Sequence, residues 1–416
     1  MTVNKFIRNL LQLKELKVSG FELNHKKKAF FLWVKPYKNG CRCPHCDRRA
    51  KIVYQTNIGR VWRDLPVYGY EVKLCYSPKE IDCPTHGRVQ ENIPWADSYA
   101  RITYRFEYAM LTYCQIMTQK AAAQLLHIAQ STLSNLLHRS VERIRDGHRI
   151  RDLKQLGVDE LSYCKRSKFA TIVYNLKKAC VVWVGKGKGE ATINRFFNEM
   201  LSDYQKKQIK WASCDMSQAY INAIEKHCPN VTLILDRFHI VKKLNEAVDE
   251  VRKEQWREAS GDQRKALKGL RWLLYRHSSK RSKDDTRILN ALRKGNRRIH
   301  RAWVLKDEFE RFWDYKAPWA AERFIKGWTT TALKSRLEPI RSFVKTIRKH
   351  MDRILLLPYV QNPLTNAVAE GLNRIIKIVK NRASGFRTLE AFTDMIFLTV
   401  GDVNIPAQIP KEFRTI

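Results

Sequence analysis

The stretch LGVDELSYCKRSKFATIVYNLKKACVVWVG, residues 156–185, changes the period of the chain. LGVDEL ends a short apolar run on Asp159, and KFATIVYNL and ACVVWVG are runs of β-branched and aromatic residues. Lys177-Lys178 joins the last two as a hairpin turn. Reading onward, Glu190–Leu201 is an amphipathic helix, IKWASCD a strand ending on Asp215, and SQAYINAIEKH a helix. VTLILD is then a buried strand ending on Asp236, and RFHIVKKLNEAV a helix. Strand, strand, strand, then helix and strand in alternation, predicts a mixed α/β sheet with acids at strand C-terminal ends, where open α/β sheets place their chemistry.

Three meandering strands followed by alternating helices and strands is the ribonuclease-H-like order. In that arrangement Asp159 on the first strand and Asp215 on the fourth lie side by side, and a later helix supplies one more carboxylate. Close carboxylates repel, so such a set makes sense with divalent cations between them. Two Mg²⁺ (or Mn²⁺) ions about 3.5–4 Å apart stabilise the attacking and leaving oxygens of an in-line phosphoryl displacement. Taken singly, each acid also reads as a helix N-cap or a surface charge, and Asp215-Met216-Ser217 has the composition of a cap.

The later helix is written in NPLTNAVAEGLNRIIKIVKNRASGF, residues 362–386. Val368, Leu372, Ile375, Ile376 and Val379 recur at helical spacing. Asn362-Pro363 with Thr365 or Asn366 marks the start, and Ser384-Gly385 the stop. Glu370 opens the polar stripe, followed by Asn373, Arg374 and Lys377. Alone, Glu370 and Arg374 would be an ordinary i,i+4 pair worth about 0.2–0.5 kcal/mol.

Charge points the same way. The 416 residues carry 78 Lys+Arg against 41 Asp+Glu, a formal +37, spread along nearly the whole length. Such an excess is costly in self-repulsion without a polyanion, and nucleic acid is the partner it implies. No apolar run reaches the roughly 18–20 residues of a membrane span, and the start, Met1-Thr2-Val3-Asn4-Lys5, lacks an apolar signal segment. The expected location is cytoplasmic, on the nucleoid when DNA-bound, with no membrane partner. Ten cysteines in such a chain argue against a disulfide framework.

Two pairs of residues in the head bite at metal-ligand spacing: Cys43-x-x-Cys46 and Cys83-x-x-His86. Brought together by a hairpin they make four ligands for a structural, tetrahedral zinc, with Cys41, His45 and Cys75 as possible substitutes. Next, TQKAAAQLLHIAQSTLSNLLHRSV, residues 118–141, carries apolar Ala122, Leu125 and Leu126, a tight connection at His127-Ile128-Ala129, then Leu133, Leu136 and Leu137. This predicts a helix-turn-helix, with His127 at a left-handed position that His tolerates. Gln130, Ser131, Thr132, Ser134, Asn135 and Arg139 face outward as candidate base and phosphate contacts. The basic segment 240–360 reads as a helical insertion whose tryptophans, Trp256, Trp272, Trp303, Trp313, Trp319 and Trp328, serve mainly as core.

With these blocks in hand the chain resembles bacterial insertion-sequence transposases of the ISL-three type, within the Asp-Asp-Glu superfamily. The likeness lies in the Cys-x-x-Cys head, the helix-turn-helix, LGVDE, CDMSQAY, LDRFHIVK, KDEF with a following Trp, and NAVAEGLNRIIKIVKNRASGFRTLEAF. It implies a catalytic triad of Asp159, Asp215 and Glu370 holding two Mg²⁺, with Asp236 and His239 in support and with Asn373, Arg374 and Lys377, on the Glu370 stripe, facing the scissile DNA backbone. It also implies double-stranded DNA partners, the element's terminal inverted repeats and a target, and a homodimer or higher oligomer on DNA. The implied domains are a zinc-binding head (1–95), the helix-turn-helix (96–150), a ribonuclease-H-like core (151–240), the basic helical insertion (241–360), and the core's final helix (361–416). A non-catalytic DNA-binding regulator of the same fold, and a structure-selective nuclease without strand transfer, are the alternatives.

Overall fold

The computed structural model describes residues 2–13, 16–36, 41–55, 59–146, 148–164, 168–356 and 367–414. The chain forms two compact units, one from residues 1–148 with 375–416 and the other from 149–374.

In the first unit two small sheets make the head. One orders its strands Leu16–Asn24, Ala29–Pro36, Glu71–Tyr76, Arg60–Arg63, and the other Lys51–Gln55, Lys79–Cys83, Gly87–Gln90. The hairpin of residues 16–36 was not anticipated from the sequence, because its strands alternate only weakly and expose Phe21, Leu23 and Trp33. Helices Tyr104–Ile116, Gln119–Leu125 and Gln130–Arg145 follow. Thr118 caps the second of these, its hydroxyl accepting from the Ala121 N–H at 3.1 Å. His127 takes φ 51°, the left-handed value expected at the turn. Leu133 and Leu137 are buried with Ala122, Ala123 and Leu126, whereas Leu125, read as a core position, is exposed. Two alanines fill the inner face of so short a helix, and Leu125 falls on the other side.

The second unit is built on a five-stranded sheet in the order Cys180–Lys186, Lys168–Asn175, Gln155–Cys164, Trp211–Cys214, Thr232–Leu235. The first three strands are antiparallel neighbours, and the last two run parallel to Gln155–Cys164. Helices Glu190–Met200, Gln218–His227 and Arg237–Glu258 occupy the expected places, joined by a short unanticipated helix, Asp203–Gln208. Continuous with the sheet's core is that of the insertion, where Trp303 and Trp328 are buried while Trp272 and Trp319 are exposed. Lys306, one of the largest buried side chains, donates to Glu310 at 3.0 Å and to the Arg276 carbonyl at 3.3 Å, which satisfies its charge inside that core.

The polar-striped helix is present as Ala367–Arg382. Its expected start signal, residues 362–366, lies outside the described residues. Its stop is in place: Ser384 and Gly385 take φ 55° and 98°, and the Gly385 N–H donates to the Lys380 carbonyl at 2.9 Å. Leu372, Ile376 and Val379 are buried, but Ile375 is 40% exposed. Among the described residues no helix is long and apolar enough to cross a membrane.

Candidate active site and metal cluster

Asp159 sits inside its strand, not at the strand's end as expected, because Gln155–Cys164 continues five residues past it. The neighbour stops first. Against the Asp159 strand, Trp211–Cys214 pairs only with Gln155, Leu156 and Gly157, the last pair being Ser213 with Gly157. Continued by two residues, that register brings Asp215 level with Asp159. One residue past the Cys214–Leu235 pair it brings Asp236 level with Asp215. Asp215 and Asp236 each lie one residue past the end of their strands, and the charge of Asp215 is felt at Asp159.

The Asp159 carboxylate is tightly engaged. Its Oδ1 accepts from the Glu160 N–H at 2.7 Å, and its Oδ2 accepts from Asn373 Nδ2 at 2.5 Å. The Asn373 Oδ1 accepts in turn from the hydroxyl of fully buried Tyr174, also at 2.5 Å. Burial raises the Asp159 pKa, the Glu160 N–H, His239 and Asn373 act against it, and neighbouring Asp215 adds to the rise. Glu160 is also raised, by burial first, with Lys188 opposing and Asp215 and Asp159 adding. Asp159 and Glu160 are thus raised first by burial, with neighbouring carboxylates adding, and a divalent cation held there would offset both effects.

Asn373 is 6% exposed and points inward, not toward solvent as its place on the polar stripe suggested. It is three residues from Glu370 on the same helix, and i,i+3 positions share a face. Glu370 therefore lies one turn from the Asp159 contact, on that face, and is exposed together with Arg374 and Lys377. Sequence reasoning missed the Tyr174–Asn373–Asp159 chain. The i,i+3 spacing from Glu370 to Asn373 was its only visible sign, since nothing in the local pattern marks Tyr174 as a partner.

The structure does not gather Asp159, Asp215 and Glu370 into one tight cluster. Among the described residues, the sole group of three or more His, Cys, Asp or Glu with ligand atoms all within 4.8 Å lies elsewhere. A two-ion site asks less, since each acid must reach an ion and not every other acid. Asp215 stands near enough to Asp159 for its charge to raise that carboxyl, and the Asn373 bond fixes the Glu370-bearing helix to the Asp159 strand. Asp236 caps the Arg237–Glu258 helix, accepting from the Phe238 N–H at 2.8 Å, and its other oxygen stands 3.5 Å from His239 Nε2. Asp215 accepts from the Ser217 N–H at 2.9 Å, but the N-cap of the Gln218–His227 helix is Ser217 and not Asp215.

The tight group is Cys43, Cys46, Cys83 and His86. Cys43 and Cys46 flank a turn closed by Asp47 N–H donating to the Cys43 carbonyl at 3.0 Å. Cys83 and His86 span the hairpin between Lys79–Cys83 and Gly87–Gln90, where Gly87 supplies a φ of 66°. Three edges of the group measure 3.6 Å (Cys43 Sγ to His86 Nδ1), 3.6 Å (Cys46 Sγ to Cys83 Sγ) and 3.7 Å (Cys83 Sγ to His86 Nδ1). A zinc tetrahedron with metal–sulfur bonds of about 2.3 Å has edges of about 3.7 Å, so the donor set and its size fit that ion. Cys41, His45 and Cys75 fall outside the group. Cys41 is buried near Glu91, its thiol raised to about 11 by burial and then by that carboxylate, while His45 only packs its ring against His86.

In the helix-turn-helix, Gln130, Ser131, Thr132, Asn135 and Arg139 are exposed on the Gln130–Arg145 helix. Ser134 is half-buried and spends its hydroxyl on Gln119 Oε1 at 2.7 Å, tying the two helices together.

A family profile described as a helix-turn-helix domain of transposase family ISL3 matches residues 91–141, and one described as a transposase, of the DDE class, matches 156–396. The chain belongs to the ISL3 family of transposases. The transposase for insertion sequence element IS1001 of Bordetella parapertussis is 30% identical over 368 residues, covering 87% of this chain and 89% of that protein. The transposase for insertion sequence element IS1557 of Mycobacterium tuberculosis is 25% identical over 386 residues, covering 86% and 85%. A Drosophila P element transposase strand transfer complex aligns with 74% of this chain and 92% of its own at a TM-score of 0.36 and 10% identity, too low a score to speak for a shared fold.

Proposed function

We propose that this ISL3-family transposase binds the terminal inverted repeats of its own insertion sequence and performs metal-dependent strand cleavage and strand transfer. Its sheet is read as a ribonuclease-H-like core, with Asp159, Asp215 and Glu370 as the metal-holding acids and Asp236 with His239 in support. The observation that carries this reading is the Asn373 bond to Asp159, which ties the Glu370 helix to the strand holding the first acid.

Magnesium or manganese held by these acids would supply Lewis-acid activation of water and of the 3′-OH, and would neutralise charge on the phosphate. The chain's own residues orient and shield. Asn373 and the Glu160 N–H hold the Asp159 carboxylate in one orientation and favour its ionised form. Exposed Arg374 and Lys377 follow Glu370 on its helix and offer cations to the scissile backbone. Water attacks the phosphodiester at an element end and breaks its P–O3′ bond, leaving a 3′-OH and a 5′-phosphate. That 3′-OH then attacks a target phosphodiester in the same site, joins to its phosphorus and expels the target strand's own 3′-OH. No Tyr or Ser nucleophile is required. In the head, Cys43, Cys46, Cys83 and His86 would hold a structural zinc.

The functional divisions keep 1–95 as zinc-binding, 96–150 as end recognition, 151–240 with the Glu370 end of 361–416 as catalytic, and 241–360 as the basic insertion, while residues 375–416 belong to the first unit. Because an element has two ends, the working form is a dimer or larger on DNA. A non-catalytic DNA-binding regulator is the second reading, favoured by the absence of a tight carboxylate cluster among the described residues. Labelled element-end duplex incubated with the protein, with and without Mg²⁺ or Mn²⁺, separates the cases. Cleavage followed by joining supports the transposase, cleavage without joining a nuclease, and binding alone the regulator.

A further inference from the structure

We propose that residues 382–388, just beyond the Glu370-bearing helix, form one wall of a cleft that grips the DNA sugar–phosphate backbone beside the groove read by the helix-turn-helix. The inference rests on the DNA-binding reading above and adds to it a second, non-helical contact from the far end of the chain. The cleft has a volume of ≈ 690 Å³. Thr118, Lys120, Gln130 and Ser131 line it from the helix-turn-helix, and Arg382 through Thr388 line it opposite. Its lining holds three cations, Lys120, Arg382 and Arg387, and no carboxylate. That composition selects an anion, and the volume suits several linked groups better than a lone ion.

The wall is a fixed turn. Ser384 N–H donates to the Asn381 carbonyl and Gly385 N–H to that of Lys380, both at 2.9 Å. Arg382 donates to the carbonyls of Gln115 and Cys114 at 3.0 and 3.2 Å, which fixes its cation at the cleft and seats the segment on the Tyr104–Ile116 helix. Lys120 and Arg387 are exposed and pair with no carboxylate among the described residues. Gln130 and Ser131 open the helix expected to enter the major groove. A strand bordering that groove passes the helix N-terminal end, where the cleft lies. Lys120 and Arg387 then meet phosphates, and Gln130 and Ser131 meet bases. Within the family match the segment belongs to the transposase profile, so its place in the helix-turn-helix unit gives end recognition a part that the 91–141 domain alone lacks.

The test uses the full chain and fluorescence anisotropy on a duplex of about 30 base pairs, titrated with KCl from roughly 50 to 300 mM. Each phosphate contact contributes a slope of about −0.9 to log K against log salt, so Lys120→Ala/Arg387→Ala should flatten the slope by about 1.8. Lys207→Ala/Lys226→Ala removes the same charge outside the cleft and should leave the slope in place. Lys120→Gln/Arg387→Gln, with an unchanged thermal midpoint, guards against a folding defect and should match the alanine pair. An unchanged slope in either cleft variant, or an equal loss in the control pair, overturns the cleft. Wild-type protein that shows no salt-dependent binding to the duplex overturns the DNA-binding reading itself.

Discussion

The cysteine–histidine cluster of the head and the carboxylate group of the sheet are both candidate metal sites, yet they differ in how finished they are. The four head ligands come from two tight turns, at 43–46 and 83–86, and already stand at tetrahedral spacing. The acids come from a strand, a strand end and a helix up to about two hundred residues apart in sequence, and the structure brings the aspartates level without closing all three together. Ligand chemistry explains the contrast. Thiols and an imidazole can be neutral, so a tight shell carries little strain on its own. Carboxylates placed as close would repel, and the sheet positions theirs with neutral partners such as Asn373. A structural site is closed by its fold, whereas a site for reacting phosphate keeps room for substrate and ions.

If the head cluster is the structural one, its loss should have the largest effect. Structural zinc in small domains contributes about 10 kcal/mol or more of apparent binding energy. Cys43→Ser should therefore abolish the metal content of the purified chain and unfold the head, read by metal analysis and by limited proteolysis. A zinc-free wild-type protein with an intact, protease-resistant head would reverse the comparison.

The acids should behave oppositely, costing activity and not stability. Asp159→Asn, Asp215→Asn or Glu370→Gln is expected to lower Mg²⁺-dependent end cleavage by about 10² to 10³ or more while leaving duplex binding and the thermal midpoint close to wild type. Retained nicking by any of the three removes that residue from the site.

Asn373 sharpens the contrast. Asn373→Ala deletes a hydrogen bond to the ionised Asp159, which opposes the rise that burial imposes. The Asp159 pKa should climb further, so the acid limb of the cleavage profile should move to higher pH, with a rate loss of about tenfold at neutral pH. An acid limb that stays in place, or moves to lower pH, would show that this bond does not tune the site.

The smallest effect is electrostatic and lies in the first unit. Burial opposes a charge on His138, but the hydrogen bond its ring N–H donates to Asp394 and the nearby carboxylates Glu142 and Glu390 outweigh it and hold the ring's pKa above its usual 6.5. A raised histidine contributes stability that is fully present below its unfolded pKa and fades as pH rises through the folded value. His138→Gln should flatten the fall in thermal midpoint between slightly acid and mildly alkaline pH, by less than about 1 kcal/mol because the ring is part-exposed. A wild-type midpoint that climbs over that range contradicts the sign.

Much of this was legible in the sequence wherever a local pattern carries the information. The strand and helix order of residues 155–258, the left-handed His127, the Ser384-Gly385 stop and the two metal bites all depend on neighbours a few residues away. The placing of the aspartates could be anticipated only roughly. That Asp159 sits at an edge because the adjacent strand ends early, and not because its own does, is a matter of register between segments more than fifty residues apart. The inward turn of Asn373 and the exposure of Leu125 and Ile375 likewise depend on what each helix packs against. The sequence alone determined the inventory: three acids, four soft ligands, a two-helix reader and a surplus of cations, because residue type and short-range periodicity are local quantities. Tertiary structure decided which of them meet, joining Tyr174, Asn373 and Asp159 in one hydrogen-bonded line and setting residues 382–388 against the reader. Packing and hydrogen-bond satisfaction are settled between distant segments, and no local pattern encodes the partner.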